Sequence, residues 1–311
     1  MVTKKKPANT PVCSSCNEPA VVCQRQSHRN LCSTHFIREV EERFFLTVEK
    51  SRLIRSGDRI AVALSGGKDS TALLLLLSRH LQKWQDVSLV AITIDEGIKG
   101  YRDETIRAAE RVAEKIGVKH QIISFQDLFS DNLDALLKGR ETQACTICGI
   151  LRKKALIEGA KKVRATKIAT GHNLDDEAQS VLMNVLRGDL PRLVRDSTVE
   201  TSGCFIPRIK PLAELSEKEI ASYLYVRGMF LTLPECPYTR FALRAEVRSM
   251  LSGLEHRNPG TMLRLMESQK KIEKYLGGTM FSRSLRRCRQ CGDPCSGDLC
   301  QVCRLRQSLG R

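Results

Sequence analysis

The segment 65–70, with the sequence SGGKDS, constrains the fold of this chain more than any other feature. It follows residues 58–64, a short apolar stretch with β-branched residues that is typical of a buried strand. It precedes residues 71–83, where five consecutive leucines favour a helix packed on a sheet. A glycine pair between strand and helix allows a sharp turn, and the N–H groups of the first helical turn point at a ligand. Lys68 adds a positive charge, so the segment predicts a phosphate-binding loop.

This loop differs from a Walker A motif, because Gly66 and Gly67 are adjacent and Asp69 follows the lysine. An ordinary glycine-containing turn is the alternative interpretation. The hexapeptide resembles the PP-loop of the ATP pyrophosphatases, which cleave ATP between the α and β phosphates and adenylate an oxygen of their substrate. The resemblance implies ATP as the ligand.

Strand and helix patterns alternate between residues 58 and about 189, which predicts an α/β fold with a doubly wound parallel sheet. The expected strands are 58–64, 87–94, 118–125 and 166–170, and the expected helices are 71–83, 101–116 and 174–187. Ligands bind beyond the carboxyl ends of such strands, so Asp95 and His172 are expected near the nucleotide. His172 is either a nucleotide contact or a plain loop residue.

Three carboxylates, those of Asp175, Asp176 and Glu177, open the helix after the fourth strand. They either offset the helix dipole or, facing the phosphate loop, hold Mg²⁺ together with phosphate oxygens. We favour the second interpretation.

The charge balance indicates a polyanionic partner. The chain carries 51 Lys and Arg against 35 Asp and Glu, a formal net charge of +16, and nucleic acid is the common partner of such a surface. Aromatic residues are only 5%, so phosphate contacts are favoured over base stacking. The sequence lacks an apolar run of membrane-spanning length and a signal-peptide pattern, so we expect a soluble, cytoplasmic protein.

Two of the three cysteine sets have zinc-ligand spacing. Paired C-x2-C or C-x2-H turns supply two ligands each to a tetrahedral ion, and four protein ligands make a structural site. The N-terminal set is Cys13, Cys16, Cys32 and His35, and the C-terminal set is Cys288, Cys291, Cys300 and Cys303. Cys23 and Cys295 are expected to be spectators, although Cys295 can compete as a ligand.

Basic residues surround the C-terminal set, which favours a nucleic-acid contact over a solvated scaffold. They are Arg283, Arg286, Arg287, Arg289, Arg304, Arg306 and Arg311.

The third set, Cys145, Cys148 and Cys236, has no fourth ligand at metal spacing. Three thiolates near a nucleotide suggest a catalytic role. They either hold an iron–sulfur cluster by three corners, leaving one iron open for an exogenous sulfur, or carry a persulfide that is resolved as a disulfide.

With these segments in order, the chain resembles the tRNA 2-thiouridine synthetases, which comprise the TtuA proteins and the archaeal and eukaryotic cytosolic wobble-uridine thiolases. The motifs are the N-terminal knuckle, the PP-loop, residues 145–149 (CTICG), residues 170–176 (TGHNLDD), residues 235–238 (ECPY) and the C-terminal ribbon. The resemblance covers nearly the whole chain. It implies adenylation of a uridine C2 oxygen, followed by delivery of sulfur at a 4Fe-4S cluster on the three cysteines.

The resemblance also implies the site residues. ATP contacts are expected from Ala63, Ser65, Gly66, Gly67, Lys68, Asp69, Ser70, Ile94, Arg152 and Gly171. Lys68, Asp69 and Asp176 are expected to act in catalysis, the carboxylates through Mg²⁺. Family members often have Lys where this chain has Arg152, so Lys153 and Lys154 are alternative phosphate contacts.

Residues 186–195 look more like the wobble-uridine branch than the T-loop branch, so we favour the wobble uridine. The sulfur donor is either a ubiquitin-like thiocarboxylate carrier or sulfide, and a homodimer is one option for the assembly. Other interpretations are a PP-loop enzyme acting on a small molecule and a zinc-ribbon tRNA-binding adaptor with a relic nucleotide fold.

We expect four segments: a zinc knuckle with a linker helix (1–48), the PP-loop catalytic domain (49–240), a helical segment (241–280) and a zinc ribbon (281–311).

Overall fold

The computed structural model describes residues 11–194, 205–230, 232–238, 244–280 and 286–309. Its strands are β1 (Val22–Gln24), β2 (Arg29–Leu31), β3 (Arg59–Ala63), β4 (Ser88–Asp95), β5 (Lys119–Ser124), β6 (Lys167–Ala169), β7 (Arg208–Ile209), β8 (Arg286–Arg287) and β9 (Pro294–Cys295). Its α-helices are α1 (Ser33–Lys50), α2 (Lys68–His80), α3 (Arg102–Ile116), α4 (Phe125–Phe129), α5 (Leu133–Leu136), α6 (Ala144–Lys162), α7 (Leu174–Leu186), α8 (Leu190–Leu193), α9 (Glu217–Val226), α10 (Arg244–Arg257), α11 (Thr261–Met280) and α12 (Gln301–Ser308).

A five-stranded parallel sheet, in the order β5-β4-β3-β6-β7, forms the centre of the molecule. Central β3 is apolar on both faces because helices cover both, as is usual for parallel sheets. The doubly wound sheet is confirmed, with the four expected strands found within a few residues. β7 was not expected, because two residues give almost no sequence signal.

The helix after the PP-loop begins at Lys68 rather than at residue 71, because Gly67 in extended conformation is its N-cap. Its leucines 73, 74, 76 and 77 are fully buried and share one core with α1, α3 and α9. On the other face of the sheet α6 packs against β4 and β5. Gly159 permits this close packing, since a Cβ there would lie 2.9 Å from Ile123.

The C-terminal ribbon is docked on α6. Val302, Leu305 and Leu309 of the ribbon pack into the core that α6 shares with the sheet. Lys154 of α6 forms an ion pair with Asp293 of the ribbon. The helix that carries Cys145 and Cys148 is therefore also the anchor of the ribbon.

Among the helices in the described ranges, none is both long and apolar enough to cross a bilayer.

Candidate functional site

The phosphate loop is a closed turn that only glycine can form at Gly66. Gly66 has φ +87°, and a Cβ there would lie 2.2 Å from the carbonyl oxygen of Thr105. The Ser65 N–H donates to Ser70 Oγ (3.1 Å), and Ser70 Oγ donates to the Gly67 carbonyl (2.9 Å). These bonds set the loop against the start of α2, where unpaired N–H groups face outward.

Lys68 is held by two carboxylates. Its Nζ lies 3.0 Å from Asp69 Oδ2 and 2.7 Å from Glu217 Oε1. Burial lowers the pKa of Lys68, but the two carboxylates outweigh burial and raise the pKa above its ordinary value. The loop cation is therefore charged at neutral pH.

The start of α7 is fastened to the start of α2. Gly171 makes this approach possible, since a Cβ there would lie 3.1 Å from Ser70 N. Asn173 Nδ2 donates to Asp69 Oδ1 at 2.9 Å. His172 lies in the same turn, where its Nδ1 is 2.9 Å from Thr170 Oγ1 and burial lowers its pKa. Both interpretations of His172 stay open.

Each of the three carboxylates at the start of α7 has a partner within the protein. Asp175 accepts the Glu217 N–H at 2.7 Å, Asp176 caps the helix with Asn173, and Glu177 pairs with Lys210 at 2.7 Å. Burial raises the pKa of Asp175. Of the three, Asp176 also faces the cavity beside the loop.

This cavity has a volume of about 240 Å³ and lies at the carboxyl edge of the sheet. It is lined by Lys68, Asp69, Asn173, Asp176, Gln179, Glu217, Arg244, Ala245 and Arg248. Three cations and three carboxylates face one another, a set that suits a phosphate chain bound with a divalent cation. Glu217, Arg244 and Arg248 were not among the expected residues.

Two other expected ATP contacts occupy strand ends at the same edge. Ala63 is the last residue of β3, and Ile94 is the next-to-last residue of β4. The Ile94 carbonyl accepts hydrogen bonds from Arg102, so it is already engaged within the protein.

The three central cysteines come from two segments. Cys145 and Cys148 lie among the first five residues of α6, and Cys236 lies in the segment 232–238. Tyr238 fixes this segment by donating its hydroxyl to Asp134 at 2.8 Å. The carbonyl of Tyr238 is 3.6 Å from Cys145 Sγ, which brings the two segments into contact.

The environment of these thiols differs from that of a single-ion site. Burial raises the pKa of Cys148 to about 12 and also raises that of Cys236. In the described part of the chain, the sets whose ligand atoms all lie within 4.8 Å of one another are the two terminal ones. Three thiols set wider apart, one exposed and two half-buried, are a donor set that fits a multi-iron cluster better than a single zinc ion.

The cations that follow Cys148 have different partners. Arg152 Nε is 2.8 Å from Oε1 of the buried Glu96, whereas Lys154 pairs with Glu158 and Asp293. Lys153 also makes an interaction within the protein. The engagement of Lys154 by the ribbon favours Arg152 as the cation nearest the cysteines.

The N-terminal set has the geometry of a zinc site. Cys16 Sγ is 3.7 Å from Cys32 Sγ and 3.5 Å from His35 Nδ1, and Cys32 Sγ is 3.2 Å from His35 Nδ1. A zinc tetrahedron places neighbouring sulfur and nitrogen ligands about 3.5–3.8 Å apart, so the four residues fit zinc.

The four cysteines of the C-terminal set also bring their sulfur atoms within 4.8 Å of one another. Cys291 and Cys300 have sulfurs 3.6 Å apart, and the Cys300 N–H donates to Cys288 Sγ at 3.3 Å. Backbone N–H groups, that of Cys300 first, lower the pKa of Cys288 to about 6, which favours the thiolate that zinc binds. Cys295 lies outside the set and donates to the Gly297 carbonyl. Arg286, Arg287, Arg289, Arg304 and Arg306 are exposed, whereas Arg283 and Arg311 lie outside the described residues.

Two relatives with similar sequences are named for tRNA 2-thiolation. A family model described as a PP-loop domain matches residues 32–251. The tRNA 2-thiolation protein NcsA of Haloferax volcanii is 33% identical over 96% of this chain and 98% of its own. The mouse cytoplasmic tRNA 2-thiolation protein 1 is 37% identical over 97% of this chain and 73% of its own.

A solved structure covers the whole fold. The U34-tRNA thiolase NcsA from Methanococcus maripaludis, with its 4Fe-4S cluster, superposes with a TM-score of 0.84. Sequence identity is 29%, and the match covers 98% of each chain.

Proposed function

The chain belongs to the PP-loop family of tRNA 2-thiolation proteins, and from that premise we propose that it thiolates the wobble uridine, U34. Family membership makes it an ATP-dependent tRNA-thiolating enzyme. One observation carries the proposed assignment of the site: the phosphate loop and the three central cysteines lie at the same edge of the sheet. Arg102 and Arg152 both form ion pairs with Glu96 there, one from each side.

The first half-reaction uses the phosphate loop. The N–H groups at the start of α2 and the Lys68 ammonium hold the triphosphate, and Asp69 and Asp176 would hold a Mg²⁺ ion that would offset the phosphate charge. The uridine C2 oxygen attacks the α-phosphorus, and pyrophosphate leaves. In this proposal the nucleotide is lined by residues of the loop and of the neighbouring strand ends: Ala63, Ser65, Gly66, Gly67, Ser70, Ile94 and Gly171.

The second half-reaction takes place at Cys145, Cys148 and Cys236. These three thiolates would hold a 4Fe-4S cluster, which would supply a binding position for exogenous sulfide. Sulfur attacks C2 of the adenylated uridine, and AMP leaves with the former C2 oxygen. Arg152 supplies positive charge beside the cysteines and the departing phosphate.

The two terminal cysteine sets hold one structural zinc ion each. A small ribbon has too little core to fold alone, so metal binding supplies its folding free energy. The exposed arginines around the second zinc contact the tRNA backbone, in keeping with the net charge of +16.

Three further properties complete the proposal. Sulfur comes from sulfide or from a ubiquitin-like thiocarboxylate carrier, and the protein works in the cytoplasm as a monomer or homodimer. The division at residues 48, 240 and 280 separates functional segments, although α1 shares its core with the PP-loop domain.

Pyrophosphate release tests the reaction. Unmodified tRNA with U34 should stimulate pyrophosphate release from ATP, which an adaptor with a relic nucleotide fold does not show. Nucleoside mapping should place 2-thiouridine at position 34. Sulfur at the T-loop uridine instead would assign the chain to the other branch of the family.

A further inference from the structure

A buried carboxylate connects the two halves of the site. Glu96 directly follows β4, and its side chain is 3% exposed. Its Oε2 lies 2.8 Å from Arg102 Nε, and its Oε1 lies 2.8 Å from Arg152 Nε. The three side chains form one ion-pair junction with a net charge of +1.

On one side, the junction reaches the phosphate loop. Arg102 is buried at the start of α3 and donates to the Ser65 carbonyl (3.2 Å) and the Ile94 carbonyl (2.8 Å). Arg102 also donates to Thr105 Oγ1 at 2.9 Å. The Thr105 carbonyl oxygen packs directly against Gly66, where a Cβ would lie 2.2 Å from it. The position of Arg102 therefore helps to fix the backbone of Ser65 and Gly66, the first two residues of the phosphate loop.

On the other side, the junction reaches the sulfur site. Arg152 lies on α6, one turn after Cys148, and interacts electrostatically with Cys148 and Cys236. Arg152 is about half exposed, and an arginine side chain loses much rotamer freedom when it is held in one place. Glu96 is the carboxylate that bonds it there.

We propose that Glu96 is a positioning residue for the thiolation reaction, holding Arg152 beside Cys148 and Arg102 beneath Ser65 so that the sulfur site and the phosphate loop keep one relative geometry. The inference rests on the proposed three-cysteine site. Glu96 acts through the two arginines and touches no reacting atom.

A double-mutant cycle with Glu96→Gln and Arg152→Gln tests it. Both single variants should keep their iron and zinc, lose about tenfold or more in kcat for tRNA thiolation and change KM for tRNA by less than about twofold. The double variant should be no slower than the slower single variant, because Glu96 acts through Arg152. Arg152→Lys, which keeps the charge, should retain most of kcat.

A second readout does not need the loaded enzyme. Zinc-loaded but cluster-free Glu96→Gln should bind a non-hydrolysable ATP analogue about threefold or more weakly, because Arg102 loses its carboxylate. Zinc-loaded, cluster-free Arg152→Gln should weaken analogue binding less than Glu96→Gln does, because Arg102 keeps its carboxylate there.

Asp58→Asn is the matched control, since Asp58 is also a buried carboxylate and lies 2.8 Å from Lys167 at the opposite edge of the sheet. It should lower the melting temperature and leave kcat unchanged. Normal kcat and analogue binding in Glu96→Gln, or a loss of melting temperature alone, would overturn the inference. If Glu96→Gln does not fold, a near-normal kcat in Arg152→Gln overturns it instead. Cys148→Ser, measured in parallel, separates the two proposals: full activity there refutes the cysteine site itself.

Discussion

Lys68, in the first turn of α2, forms an ion pair with Glu217, in the first turn of α9, with 2.7 Å between Nζ and Oε1. Arg248 of α10 binds the same carboxylate at 2.6 Å. The cation that the PP-loop offers to phosphate is therefore already engaged by a carboxylate on another segment. Nucleotide binding has to compete with this pair.

Glu217→Gln should strengthen nucleotide binding. Removing the carboxylate frees Lys68 and removes a negative charge from the cavity wall. We expect the Kd for a non-hydrolysable ATP analogue to fall about three- to tenfold at low salt, or about 0.7–1.4 kcal/mol. Calorimetric titration measures this change. Glu219→Gln, two residues further along α9 and paired with Arg43, should leave the Kd unchanged. Weaker binding by Glu217→Gln would mean that Glu217 holds the nucleotide or its cation.

Lys68→Ala and Asp69→Asn should separate binding from chemistry. Lys68→Ala removes a cation that faces phosphate, so both ATP binding and pyrophosphate release should fall. Asp69→Asn keeps the shape of the site but removes a charge proposed to hold Mg²⁺, so ATP should bind while pyrophosphate release is lost. Single-turnover pyrophosphate release with tRNA and Mg²⁺ measures both. Full release from Asp69→Asn would show that this carboxylate only anchors Asn173 and Lys68.

Cys300→Ser should remove about one zinc ion per chain and unfold the ribbon, because four thiolates supply its folding free energy. The consequence should be weaker tRNA binding, measured by filter binding beside zinc analysis. Cys295→Ser is the matched control, since this nearby thiol lies outside the four-sulfur set and should keep the zinc. If the Cys295 variant lost zinc and the Cys300 variant kept it, Cys295 rather than Cys300 would be the zinc ligand.

Asp58→Asn should reduce the free energy of unfolding by about 3 kcal/mol at neutral pH, because it leaves the largely buried Lys167 without its carboxylate partner. Burial raises the pKa of Asp58, but hydrogen bonds from Lys167 and Thr166 outweigh it and keep the pKa below its ordinary 3.8. A carboxyl with a lowered folded-state pKa stabilises above its unfolded pKa, and this contribution is lost as the pH falls through the folded value. Denaturation at pH 7 and pH 3 should therefore show a smaller variant effect at the lower pH. An equal effect at both would contradict the ion pair.

Local patterns predicted the parts of the site that one stretch of chain encodes. The glycine pair at 66–67 predicted the phosphate loop, because the backbone conformation of such a turn depends only on a few neighbouring residues. The C-x2-C and C-x2-H pairs predicted both terminal sets of four ligands, since each pair is a single turn and the structure brings the pairs together. Helix α6 had a usable signal that was missed: Ile147, Leu151 and Ala155 recur at helical spacing and are buried.

Long-range neighbours were beyond such patterns. Glu217 reaches Lys68 only because β7 returns the chain beside β6, and β7 is two residues long. Glu96 follows a predicted strand, yet its two arginines come from α3 and α6, on opposite faces of the sheet. Sequence spacing does not encode these meetings, because they depend on how the helices pack.

The central claim is that ATP-dependent thiolation of tRNA runs through Cys145, Cys148 and Cys236. The direct measurement is nucleoside mass spectrometry of unmodified tRNA after anaerobic incubation with MgATP, sulfide and the iron-loaded protein. Cys236→Ser should form no 2-thiouridine while keeping its tRNA binding and zinc content, and Cys23→Ser, at an exposed cysteine of β1, should form it at the normal rate. Near-normal 2-thiouridine from Cys236→Ser would contradict the account.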